Sequence, residues 1–278
     1  MFMTKPLICA AASIAIMAAL TTMAGAQTPA TPAAAPAVPP ALCTDRPTRA
    51  NATCTVPEGY WQVEADAYNT TRNSSGGVDT EFNVFVSPTV KYGLGPRTDI
   101  ELTFSPYVES RVEGPGFSDR LSGVSDVLLR LKHRIYEGET TTVALIPFVK
   151  LPTARRGIGN RELEGGVALP VAVTLPNSFT LTFGPEIDVL ADADGSGRHV
   201  QVVNLINIGR PLNDRLTIYG ELWTATNFDP SGHVTQASAD IAAAYLVTPT
   251  VQVDAGANFG LNSETPDAQV YVGLSARF

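Results

Sequence analysis

Arg130, Lys132 and Arg134 stand at alternate positions of one stretch, Lys150 follows on a second, and Asp99 and Glu101 alternate on a third. Alternate residues of an extended chain share a face, so each set presents its charges together. Facing a water-filled space, such bases would set up a transverse field that orients solutes and favours carboxylates. Paired with acids, the same groups would fill the space and hold its shape. Both readings stand at this point. Antiparallel pairing of the two central stretches would bring Asp99 and Glu101 near Arg134.

Other chemistry is sparse. A hydrolase needs a nucleophile, a base and an orienting group within hydrogen-bond reach, and His199 beside Ser196 in the 192–198 loop is the one suggestive arrangement. A histidine at a loop edge is more often solvated, and Asp192, Asp194 and Gly195 suit a turn or a loose cation site. No catalytic residue, cofactor or metal centre is expected. Cys43 and Cys54 lack the CxxC spacing of a redox pair, and a structural zinc would need four ligands with only His133, His199 and His233 to add. In an oxidising compartment they favour one local disulfide.

That compartment is implied by the amino terminus. Lys5, an uncharged stretch from Leu7 to Leu20 and the small residues Ala24-Gly25-Ala26 read as a secretory signal spanning 1–26, cleaved before Gln27. Residues 27–42 are almost entirely Ala, Pro and Thr and form a linker without core-building capacity. Residues 43–58 are expected as a small periplasmic segment stapled by the disulfide, and 59–278 as one domain. The formal charge is -8 for the full chain. An acidic chain of this kind does not suit nucleic acid.

The long domain alternates apolar and polar residues at period two almost throughout. The stretch 98–111, for instance, sets Ile100, Leu102, Phe104 and Val108 against Asp99, Glu101, Thr103 and Glu109. About twelve such strands can be drawn, each of about ten residues or more, the length a tilted bilayer-crossing strand needs. Connections alternate between short turns and longer polar loops, the latter at 112–123, 153–164, 191–198 and 227–234. The fold expected is an all-β, transmembrane, antiparallel up-and-down barrel in the outer membrane of a Gram-negative bacterium.

In that barrel Trp61, Tyr92, Phe179, Tyr245 and Phe278 fall at the periplasmic end of the apolar register, as an aromatic girdle should. The charged face lines the lumen, with Arg130, Lys132, Arg134, Lys150, Asp99 and Glu101 as the solute path. Expected partners are outer-membrane lipid, the barrel assembly machinery and small solutes, with a monomer as the default state. Pro88, Pro106, Pro147 and Pro185 resist the scheme, since each removes a ladder donor in mid-strand.

Several blocks carry a family resemblance, among them Gly123-Val124-Ser125-Asp126 leading to Lys132, and Thr265-Pro266-Asp267 near the end. The others are Cys43-Thr44-Asp45-Arg46-Pro47 with Asn51-Ala52-Thr53-Cys54-Thr55-Val56-Pro57 and Gly59-Tyr60-Trp61-Gln62-Val63-Glu64, then Val149-Lys150-Leu151-Pro152-Thr153, then Asp254-Ala255-Gly256-Ala257-Asn258-Phe259-Gly260-Leu261. Together they resemble outer-membrane proteins grouped as the putative MetA-pathway of phenol degradation family. The resemblance implies a transporter-like barrel linked to aromatic compounds, here aromatic acids, and supplies no catalytic residues. Fatty-acid channels are a neighbouring possibility, but no apolar hatch long enough to plug a lumen is visible. A closed structural or adhesive barrel and a soluble secreted β-protein are the alternatives. By resemblance to other outer-membrane barrels Phe278 ends the signal read in barrel assembly.

Overall fold

The computed structural model describes residues 41–278. The expected leader and the linker up to residue 40 lie outside them. The described chain forms sixteen β segments: β1 (Trp61–Ser75), β2 (Val78–Gly95), β3 (Thr98–Thr103), β4 (Tyr107–Gly114), β5 (Phe117–Gly123), β6 (Val127–Glu137), β7 (Thr141–Leu151), β8 (Glu164–Ala168), β9 (Val171–Thr174), β10 (Thr180–Phe183), β11 (Glu186–Ala191), β12 (Arg198–Pro211), β13 (Leu216–Asn227), β14 (Val234–Thr248), β15 (Val251–Gly260) and β16 (Ala268–Arg277). The pairs β3/β4, β5/β6, β8/β9 and β10/β11 are single strands with a break, so the barrel has twelve strands. All pairings are antiparallel between sequence neighbours, and β1 pairs with β16 to close the sheet. The closure is sealed where Trp61 and Phe278 exchange backbone hydrogen bonds of 3.2 and 2.8 Å.

Alternation puts large aliphatic side chains on the outside. Leu222, Ile241 and Leu274 are 58%, 60% and 42% exposed, while the intervening Glu221, Asp240 and Ser275 are buried inside. An apolar exterior with a polar interior inverts the soluble arrangement and calls for lipid around the wall.

The strand interruptions account for half of the troublesome prolines. Pro106 and Pro185 fall in the breaks of β3/β4 and β10/β11, and Pro170 marks the break of β8/β9. The carbonyls of Pro88, Pro170 and Pro185 accept hydrogen bonds from Phe104 (3.2 Å), Ala144 (3.1 Å) and Leu169 (2.9 Å), so these groups are not stranded. Pro88 and Pro147 stay inside continuous strands. Beside Pro88, Val86 takes a left-handed φ of 56°, and the β1 register slips between Asp66 and Tyr68. These irregularities act together as bulges. Beyond them Tyr68, Phe85 and Tyr107 stack on one another at 5.3 and 5.5 Å, while Phe82 faces the interior.

One connection differs from expectation. The stretch 112–123 is no loop: β4 and β5 run on to a tight hairpin turned at Pro115-Gly116, with Gly116 at φ 83°. Its strands are held by charged cross-strand contacts such as Arg120 to Glu109 at 2.5 Å. Strands that project beyond an apolar band need no apolar face, so period-two hydrophobicity gives no sign of them.

Candidate functional site: a plugged lumen

The expected periplasmic segment is folded inside the barrel. Cys43 and Cys54 are disulfide-bonded, with Cα atoms 6.1 Å apart, and the loop they close reaches strands around the wall. Asp45 binds Lys132 at 2.5 Å and also Lys91. Arg46 bridges Asp254 (2.6 Å) and Asp66. Arg49 meets Asp240 at 3.3 Å and lies 4.2 Å over the Trp223 ring. The backbone NH groups of Arg49 and Ala50 donate to Glu221 at 3.1 Å each, and that of Val56 to Asp99 at 2.7 Å. A polar, irregular segment is held here because wall side chains satisfy its backbone donors. The correction to its placement has a physical basis: the loop supplies the counter-charges that the wall lacks.

Of the charged residues expected to line the lumen, four come together. The register sets Asp99 opposite Lys132 and Glu101 opposite Arg130. Glu101 lies 3.0 Å from Arg130, 3.3 Å from Lys132 and 3.4 Å from Lys91, which also binds Glu64 at 2.6 Å. Lys91, Lys132, Asp99 and Glu101 are each no more than 2% exposed. Arg134 does not join them: it pairs with Glu137 at 3.2 Å and donates to the Pro96 carbonyl at 3.1 Å, near the 96–97 turn. Asp99 and Glu101 were expected near Arg134; the β3–β6 register sets them opposite Lys132 and Arg130 instead. Lys150 lies towards the opposite end, bound to Glu164 (2.7 Å) and Asp126 (3.4 Å).

Reading strands alone missed Asp45, Arg46 and Arg49 as members of this site. The signal available was the presence of three charged residues in a loop short enough to be closed by one disulfide.

Space remains beside the plug. A cavity of about 440 Å³ towards the loop end is lined by Phe82, Leu128, Phe148, Lys150, Glu186 and Asp188, among others. A second, of about 170 Å³, shares Leu128, Phe148 and Glu186 with it and adds Arg130 and Asn51. A third, of about 360 Å³, shares Asn51 and continues along Thr180, Thr182, Asn207 and Thr217 towards the end where the chain closes. The first two cavities thus share wall residues, and the second meets the third at the plug's Asn51.

Trp61, Tyr92, Phe179, Tyr245 and Phe278 all lie at that closing end. Trp61 and Tyr92 stack at 4.6 Å, and Arg210 caps Phe179 at 4.8 Å. At the other end His199 Nδ1 is 2.9 Å from Asp192 and 3.4 Å from Asp229, and these three groups could hold a cation. His199 therefore faces carboxylates. Ser196 instead donates its NH to Asp194 at 2.8 Å.

Comparison with known proteins places this architecture. The family model described as "Putative MetA-pathway of phenol degradation" matches residues 44–278. No curated protein matches the chain. Among solved structures, the COG4313 outer membrane channel from Pseudomonas putida F1 aligns with TM-score 0.64 at 14% identity, covering 81% of this chain and 98% of that one. The translocator domain of the autotransporter NalP from Neisseria meningitidis aligns with TM-score 0.52 at 14% identity over 80% of this chain and 90% of its own. The NanC porin aligns with TM-score 0.51 at 10% identity, over 77% and 98%. At these identities the likeness is one of fold.

Proposed function

This chain belongs to the Putative MetA-pathway of phenol degradation family, and from that premise we propose that it is an outer-membrane channel for the passive passage of small solutes, with a route beside the plug. The observation that carries the proposal is the succession of three cavities from the loop end to the closing end, the first two with shared wall residues and the last two meeting at Asn51. In its smallest member Arg130 and Glu186 line the same space, where opposite charges give a passing solute a preferred orientation. In this reading the leader is removed before Gln27 and the assembly machinery recognises the strand ending at Phe278. The closing end faces the periplasm, where the five aromatics meet the headgroups. The protein works as a monomer.

Aromatic acids as the solutes rest on the family's link to aromatic compounds and not on the basic cluster. Arg130, Lys132 and Lys150 each have a carboxylate within 3.3 Å, so the basic cluster holds the lumen's shape. Purified protein in planar bilayers should show discrete conductance steps, and Asn51→Trp, which adds bulk where two cavities meet, should reduce them. Bilayers that stay silent despite heat-modifiable, folded protein would favour the closed structural barrel, for which the dense plug contacts speak.

A further inference from the structure

We propose that the loop-end cavity is a binding subsite for small molecules with an apolar body and a positively charged amine or guanidine group. The inference deepens the channel reading and rests on it for the solute's presence there. The cavity, at about 440 Å³, falls within the range of small-ligand sites. Its walls divide by chemistry. Phe82, Leu128, Phe148 and Leu190 supply an apolar side, and two of these are aromatic, a side-chain type that attracts cations.

The polar side is acidic. Lys150 is already matched by Glu164 at 2.7 Å and Asp126 at 3.4 Å. Glu186 and Asp188, two residues apart on β11, face the cavity without an ion-pair partner among the described residues. Asp188 is only 4% exposed; its Oδ2 accepts from Gln201 at 3.0 Å, and its carboxyl lies within hydrogen-bonding reach of that of Glu186. Arg130, the base nearest on the plug side, is committed to Glu101 at 3.0 Å and to the Asn51 side chain at 3.1 Å. Two carboxyls as close as those of Glu186 and Asp188 are held together by a shared proton or by a cationic donor that takes its place. An anion entering here would meet the like charge of that pair.

The test is equilibrium binding to the full protein in detergent, read by NMR titration with benzylamine, benzoate and benzyl alcohol. Benzylamine should bind at least tenfold more tightly than benzoate. The double variant E186Q/D188N, checked for folding by heat-modifiable migration, should lose at least tenfold for benzylamine and little for benzyl alcohol. Equal affinity for benzoate, or benzylamine binding unmoved by the double variant, overturns the proposal. The two readings fail separately: conductance without benzylamine binding removes the subsite and leaves the channel, whereas binding without conductance removes the channel and leaves the subsite.

Discussion

Asp45 is the residue on which the plug turns, because one carboxylate meets lysines from β2 and β6, the two strands that flank β3. Replacing it does not orphan those lysines, since Lys91 keeps Glu64 and Glu101, and Lys132 keeps Glu101. The loss falls on the plug. Hydrogen bonds to charged groups contribute about 1.5–3 kcal/mol each, so Asp45→Asn should loosen the loop while the wall stays intact. We expect a several-fold rise in single-channel conductance with heat-modifiable migration preserved; unchanged conductance would show that Asp45 does not hold the constriction. At the loop end, Asp229 sits outside the strands and accepts from Ser231 Oγ and NH and from the Ala193 NH, which lower its pKa to about 2. A folded-state value below the unfolded one gives stability that is present above about pH 4 and lost as pH falls towards 2. Protease nicking of the 192–197 and 228–233 loops should therefore increase across that window and not between pH 5 and 7, and Asp229→Asn should flatten the profile. The wall charges of this site were legible as alternating residues. Their partners were not, because a contact between Asp45 and Lys132 spans sequence distance that no local period encodes.

The elements show where period-two reading works and where it stops. It finds the twelve strands because lipid outside and water inside impose opposite chemistry on alternate residues. It does not find the slip at Asp66/Tyr68, which changes the face without changing composition, nor the β4–β5 hairpin beyond the apolar band. The glycines of the wall carry information of a third kind. At Gly273 on β16 an added Cβ would lie 2.1 Å from the Arg46 guanidinium and 2.4 Å from the Ala65 carbonyl oxygen. The plug therefore needs a strand without a side chain there. Gly273→Ala should push Arg46 from between Asp66 and Asp254 and crowd the neighbouring β1 backbone. We expect a lower temperature for the heat-modifiable shift and a raised conductance; a variant indistinguishable from the parent in both would mean that Arg46 reseats freely. Gly93 is a similar position, since its Cβ would meet the Pro57 carbonyl oxygen at 2.0 Å, just where the plug leads into β1.

For the whole molecule, wall and plug are separable in their bonding but not in their charge. The barrel's backbone ladder runs from strand to strand and closes through β1 and β16 without using the plug, so a chain lacking residues 41–57 should still form the barrel. Its lumen would be left unbalanced. The segment carries Asp45, Arg46 and Arg49, a net charge of +1, and its two arginines face Asp66, Asp254 and Asp240. Without them those acids lie bare, while Lys91, Lys132 and Arg130 remain matched by Glu64 and Glu101. The deletion should thus raise conductance several-fold and move the reversal potential in a salt gradient towards that of a cation-selective pore. A wider pore with unaltered selectivity would mean that these acids lie off the ion path; unaltered conductance would place the constriction elsewhere than at the plug. The double variant Cys43→Ser with Cys54→Ser separates the loop's closure from its charges. A disulfide restricts mainly the open chain, by about 3 kcal/mol for a loop of about 15 residues, and leaves the plug's ion pairs in place. That variant should therefore keep the parent's selectivity and fluctuate between the parent's conductance and the deletion's, since its plug leaves more easily yet still carries its charges when seated.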